Sequence, residues 1–315
     1  MTRPNEPPSA RHEAEGRAMI SANMAALPPS QRARAALTML GAVVLLGVPR
    51  ALGRRLGLLP ARSPVREVTR GVYVLEYATS HGESNAVIVR GADGGLFIRS
   101  PPPTGVPGVV ADLEKLGRPA ALLCSVAHDT HADEWKQLFP DALVLSARRD
   151  VDVVSSRARV DMVLEEAPPA WLANYGIEAV TVAAYERSAD HYIAVRADAG
   201  QEGAPRLLLL PCGIARTPVG DGAWLLTLAS PATWVRQLLG VGTIFNHGVR
   251  FVRLANYLFM GDVRPVEAQL RDVVAADKAG FDGLVFLHGP ALLKGRAVSR
   301  EVLLGLRPVR DREWF

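Results

Sequence analysis

The chain has 315 residues, 49% of them hydrophobic and 22% charged, enough to bury a sizeable core in one large domain or two small ones. Its net charge of +4 is modest and much of the excess is N-terminal Arg, so the rest is near balance and a nucleic-acid-binding face is not indicated. Cys124 and Cys212 are the only cysteines, which excludes a disulfide framework, and each sits in or beside an apolar run, as buried free thiols do.

Residues 1–34 are rich in Pro, Arg, Ala and Glu without apolar periodicity, the composition of a disordered tail. Ala35–Val48 carries no charge, and Arg32, Arg34, Arg50, Arg54 and Arg55 flank it. At fourteen residues it is shorter than the roughly 20 a spanning helix needs. Arg on both sides gives no orientation, and no cleavage pattern follows. The expectation is a helical segment over 35–64 that either lies on a membrane, with Arg50 to Arg62 meeting lipid phosphates, or docks on the protein's own core. A cytoplasmic protein with peripheral membrane contact through residues 35–62 follows from the first alternative.

A folded domain is expected over 65–315. Val72–Tyr77 and Asn85–Arg90 are β-rich runs, and Gly91–Gly95 turns the chain into a third strand, Leu96–Arg99. Ser100-Pro101-Pro102-Pro103 ends this meander, and Thr104 is placed to cap a helix whose Val106, Val109, Val110, Leu113 and Leu116 share a face up to Gly117. The apolar run Ala121–Val126 then leads into Ala127-His128-Asp129-Thr130-His131-Ala132-Asp133-Glu134-Trp135. Two His and three carboxylates at the end of a strand form the kind of cluster that ligates a metal. A short helix from Glu134 and a strand Ala142–Ser146 complete an α/β unit with its chemistry at a strand's C-terminal end, where open α/β sheets place ligands. Glu178–Ala183 and His191–Arg196 read as paired strands, and Arg206–Pro211 as an apolar strand ending at Cys212. Residues 214–260, with Trp224, Trp234, Arg250 and Arg253, are poorly patterned. An amphipathic helix follows, marked by Val266, Leu270, Val273 and Val274, and then a last strand, Gly283–Leu287, ends in His288-Gly289.

This order of elements resembles the metallo-β-lactamase superfamily, which carries H-x-H-x-D-H after a buried strand. With Asp133 as the motif's Asp, His131 also matches, Asp129 and Glu134 replace the first and last His, and His128 stands one residue from the first. Leu287-His288-Gly289 resembles the family's closing strand-His-Gly, and the family's bridging Asp falls near Cys212. Only His191 lies near the place of the remaining His. Ser100-Pro101, Leu116-Gly117, the His128 to Trp135 spacing and Phe139-Pro140-Asp141-Ala142 extend the likeness to a branch of unknown function, over roughly residues 68 to 305. The resemblance implies an α/β, four-layer αββα sandwich. It also implies a ligand set of Asp129, His131, Asp133, Glu134 and His288, with Cys212 as an addition, and Asp133 as the residue serving a second metal or proton traffic. Carboxylates in place of imidazoles make a harder site, suited to Fe²⁺ or Mn²⁺ as well as Zn²⁺. The implied activity is hydrolysis of a small ester, lactone or similar substrate by metal-activated water.

The alternative is a metal-free binding or scaffolding protein that kept the fold. In that reading Asp129 or Thr130 caps the helix, and Asp133 and Glu134 complement its dipole. His128 then bonds to backbone, and His288 is a satisfied rim residue. His191 is expected as a partly exposed strand residue, Trp135 as core, and His12, His81 and His247 as solvated. The oligomeric state is not legible.

Overall fold

Alternation along the first strands sets the layers. In β2 (Val72–Thr79), β3 (Gly82–Arg90) and β4 (Gly95–Arg99), Val72, Val74, Val87, Val89 and Phe97 join one buried cluster. Their neighbours Leu75, Ala86, Ile88, Leu96 and Ile98 join another, because side chains at successive strand positions point to opposite faces. A computed structural model describes Arg62 and residues 64–79, 82–126, 131–165, 168–186, 188–216, 249–251 and 264–306. The 1–34 tail, the apolar segment 35–48 with its flanking arginines, His12, His81, His128, Asp129, Thr130, Trp224, Trp234, His247 and Arg253 lie outside the described residues.

The first sheet has seven strands in chain order: β1 (Arg66–Thr69), β2, β3, β4, β5 (Arg118–Cys124), β6 (Leu143–Ser146) and β7 (Met162–Val163). Strands β1 to β4 form the expected antiparallel meander with one strand added before it, and β4 to β7 run parallel. Parallel neighbours need crossovers, and three helices supply residues to the outer cluster: α1 (Val109–Leu116), α2 (Ala132–Leu138) and α3 (Val151–Ser155). Val109, Leu113, Trp135 and Val154 are the side chains that cover this face. Trp135 is fully buried, stacks on Phe139 at 5.7 Å, and donates its indole N–H to Pro102 O at 2.7 Å.

The second sheet has the order β13-β10-β9-β8, from β8 (Ile177–Ala184), β9 (Ala189–Arg196), β10 (Arg206–Leu209) and β13 (Gly283–Val285). A two-stranded ribbon pairs β11 (Ile214–Arg216) with β12 (Val249–Phe251). Inner residues of both sheets share one cluster with Val266, Leu270 and Val274 of α4 (Arg264–Ala276) and Val302 and Leu303 of α5 (Arg296–Leu304). The layers are therefore helix, sheet, sheet, helix, as the resemblance implied. No helix among the described residues is long and apolar enough to cross a membrane.

Sequence and structure differ at three places on the way to the site. Helix α1 begins at Val109, with Gly108 at φ 73° before it, so Thr104 is not its cap. Thr104 instead donates to Glu134. His131 occupies the position ahead of α2 and makes no capping bond to it. His191 is 0% exposed, not partly exposed, because β9 is an interior strand between β8 and β10.

Candidate functional site

The C-terminal rim of the first sheet carries the sequence cluster. His131 is buried, and its Nδ1 lies 3.0 Å from Glu134 Oε1, one helical turn on. Glu134 Oε2 accepts from Thr104 N and Thr104 Oγ1, each at 2.7 Å. Burial pushes the Glu134 carboxyl up, but the hydrogen bonds from His131 and Thr104 outweigh it and hold the group down at about 2. Glu134 is thus a charged tie between α2 and the Pro-rich loop after β4. Asp133 Oδ1, in the same first turn, is buried with no hydrogen-bond partner among the described residues.

The rim of the second sheet carries a second cluster. Strands β10 and β13 are parallel neighbours with Leu209 opposite Val285. Three residues further on, that register puts Cys212 beside His288, and Cys212 Sγ lies 3.3 Å from His288 Nε2. Cys212 is 8% exposed and His288 is half-buried. Gly289 makes the turn after His288 at φ 96°, and a Cβ there would stand 1.7 Å from Arg216 O, so only glycine fits.

Between the rims lies a buried polar group that composition did not foretell. Arg99 and Asp190 pair at 2.8 Å with side chains 1% and 2% exposed. The same Arg99 nitrogen donates to His191 O at 2.7 Å, while Arg99 Nε and Nη1 have no hydrogen-bond partner among the described residues. Ser100 follows at φ 55°, a left-handed conformation that turns the chain off β4 at the site. Asp150 is fully buried and accepts from Val126 N at 2.7 Å and Ala189 N at 2.9 Å. Burial pushes its carboxyl up to about 7, with the backbone donors opposing and the Asp190 charge adding. His191 Nε2 meets Leu164 O at 2.8 Å, and burial lowers its pKa, so it stands as a neutral core imidazole. Burial also raises Cys124 to about 12, an inert thiol.

Of the predicted site residues, His131 and Glu134 come together, and His288 comes together with Cys212. Asp133 shares α2's first turn with Glu134. Asp129 and His128 lie outside the described residues. Among the described residues no group of three His, Cys, Asp or Glu side chains is placed to hold a metal ion. The Cys212–His288 pair suits the chemistry of zinc, a borderline cation that thiolate and imidazole both bind. Glu134 does not suit it, because both of its oxygens are already engaged. A cavity of about 320 Å³ on the other side of the second sheet, between β8–β10 and α4, is not part of this site. Its Arg206 is spent on Glu178 and Asp277.

No family model matches the sequence, and no curated protein is recognisably similar to it. Solved structures do match. The DIM-1 metallo-β-lactamase aligns with 78% of this chain and 97% of its own, with a TM-score of 0.50 at 10% identity. The chain has the metallo-β-lactamase fold. The FIM-1 metallo-β-lactamase from Pseudomonas aeruginosa, solved in its mono-zinc form, aligns with 78% of this chain and 96% of its own, with a TM-score of 0.47 at 13% identity. At 10% identity the DIM-1 likeness speaks for the fold alone.

Proposed function

We propose that the protein is a metal-dependent hydrolase of a small ester, lactone or similar substrate, working at the rim where the two sheets of the metallo-β-lactamase fold meet. The observation that carries this reading is the 3.3 Å approach of Cys212 Sγ to His288 Nε2 at the C-terminal ends of adjacent parallel strands. Cys212 and His288 would hold the metal. His131, Asp133 and Asp129 are the further ligands this reading draws on. A cation there supplies Lewis acidity and a nucleophile at neutral pH. The thiol shifts the choice toward Zn²⁺ over the Fe²⁺ or Mn²⁺ that carboxylates alone would suit. The chain's own residues do the rest. Glu134 fixes the orientation of the His131 ring through its Nδ1. The buried Asp133 Oδ1, without a hydrogen-bond partner among the described residues, is an acceptor open to a cation.

A second reading is a metal-free binding or scaffolding protein. What favours it is Glu134, whose carboxylate is closed off by His131 and Thr104 as a structural tie. Metal content of full-length protein purified without chelator separates the two. Metal near one equivalent, lost in both Cys212→Ser and His288→Ala, supports the hydrolase. No metal after reconstitution with Zn²⁺, Fe²⁺ or Mn²⁺ overturns it in favour of the second reading.

Peripheral membrane contact through residues 35–62 remains part of the proposal, on the strength of the uncharged run and its flanking arginines, but Arg62 is not a lipid contact, because it pairs with Asp112 and donates to Pro107 O at 3.0 Å. Full-length protein should float with anionic liposomes, and protein lacking residues 1–62 should not. Full-length protein that stays with the soluble fraction removes the membrane from the account.

A further inference from the structure

The Cys212–His288 pair belongs to the second sheet, yet the side chains that fix its backbone connect it to the first. Asn85, in the middle of β3 and 2% exposed, donates its side-chain amide to Phe286 O at 2.9 Å and to Gly289 O at 2.7 Å. Its backbone N–H donates to Leu287 O at 2.7 Å. One first-sheet residue therefore grips the chain on both sides of His288. Cys212 is gripped in a parallel way. Its N–H donates to Asp190 Oδ2 at 2.8 Å, and Asp190 Oδ1 is held by Arg99 of β4 at 2.8 Å and by His191 N at 2.8 Å. The next residue, Gly213, donates its N–H to Tyr185 Oη at 3.0 Å.

The β8–β9 hairpin completes the arrangement. Asp190 and Ala189 are consecutive on β9. Ala189 N shares the Asp150 carboxylate with Val126 N, and Val126 is the last described residue before His128 and Asp129 in the sequence. The start of β9 is thus tied to the exits of β4 and β5 on one sheet and to the exit of β10 on the other. These bonds are buried, so breaking one exposes no compensating water and leaves a polar atom unpaired.

We propose that Asn85 and Asp190 are positioning residues for the candidate site, holding His288 and Cys212 opposite each other, Asn85 by reaching across from the first sheet and Asp190 from within the second sheet, where Arg99 of the first sheet holds it in turn. The proposal deepens the hydrolase reading for its purpose, since a site that must hold two donor atoms in place needs supports of this kind. Its geometry stands apart from whether a metal binds.

The test uses the full-length chain, whose two cysteines give a reporter and a built-in control. Labelling by a bulky maleimide is followed at each cysteine by mass spectrometry, with chelator present throughout. Cys212 is nearly buried, so access limits its rate. Cys124 is fully buried beneath α2 and reports general loosening. Asp190→Asn and Asn85→Ala are each expected to raise Cys212 labelling at least fivefold while Cys124 stays unlabelled. Arg99→Lys, which keeps a charge opposite Asp190, should raise it less than Asp190→Asn does. Unchanged or slower Cys212 labelling in variants that fold overturns the proposal. So does a parallel rise at Cys124, which means the residues only stabilise the fold. If Asp190→Asn fails to fold, Asn85→Ala carries the same test. A separate zinc titration of the same proteins keeps the readings distinct. Zinc affinity falling about 10- to 100-fold in the variants supports positioning. Wild-type protein that binds no zinc, with the labelling rise still seen in the variants, overturns the hydrolase and keeps the positioning.

Discussion

The two rims of the sandwich carry similar residue types and use them in opposite ways. On the first sheet, Glu134 spends its carboxylate on His131 and on both donors of Thr104, so its charge serves to close α2 against the loop after β4. On the second sheet, Cys212 and His288 turn their donor atoms toward each other, while other side chains satisfy the backbone around them. The difference teaches that an accumulation of ligand-type residues in sequence is weaker evidence for a site than two donors left facing each other by strand register. Within the dense cluster His131 and Glu134 are engaged with each other and with Thr104, whereas strand register sets Cys212 against His288.

The comparison can be broken at the group that joins the rims. Arg99→Met removes the cationic partner that the buried Asp190 carboxylate has in Arg99. Breaking a buried pair from one side costs about 3–5 kcal/mol, readable as a shift in the denaturant midpoint. A loss under 1 kcal/mol would mean that the pair does not couple the sheets.

Next in size is a pH effect at Asp150. Its folded-state pKa is raised to about 7 from 3.8. Between those values the folded chain holds a proton that the unfolded chain has released. Its contribution to stability is therefore largest below pH 3.8, falls as pH rises toward 7, and is constant above that. The difference between wild type and Asp150→Asn, measured by denaturation from pH 4 to pH 7.5, should change by roughly 3–4 kcal/mol in this sense. A flat difference would mean that folding does not raise this pKa.

Glu134→Gln is the smaller perturbation. It keeps the shape and removes the charge that His131 and Thr104 hold, at a cost of about 1–2 kcal/mol at neutral pH. The sign with pH is opposite to that of Asp150. A carboxyl lowered from 4.5 to about 2 contributes above pH 4.5 and loses that contribution as pH falls toward 2. Stability of Glu134→Gln should converge on wild type in acid, and a constant gap would contradict the tie. Because Glu134 is closed off, this variant should also keep its bound metal.

Much of the fold was legible because apolar period and punctuation agree. The meander, the turn at Gly91–Gly95, the stop at Gly117 and the strand leading into the cluster all stand where side-chain alternation and Gly or Pro chemistry place them. Less of the site was legible. Cys212 was read as a buried thiol with a ligand role only by resemblance. The signal for more was present, since the runs Leu207–Leu210 and Leu284–Leu287 are of equal length and each is followed within two residues by a polar donor. Their adjacency depends on a contact between segments more than seventy residues apart, which no local pattern reveals. Asn85, Arg99, Asp150 and Asp190 were missed for a related reason. A polar residue on a strand, or like Asp150 in the turn after β6, reads as a surface position until the second sheet covers it.

Metal analysis of four full-length proteins purified without chelator tests most directly whether the second-sheet rim holds a metal. Wild type and Glu134→Gln should carry close to one equivalent of zinc, and Cys212→Ser and His288→Ala should carry none. Zinc retained in Cys212→Ser and His288→Ala, or absent from wild type even after reconstitution, would contradict it.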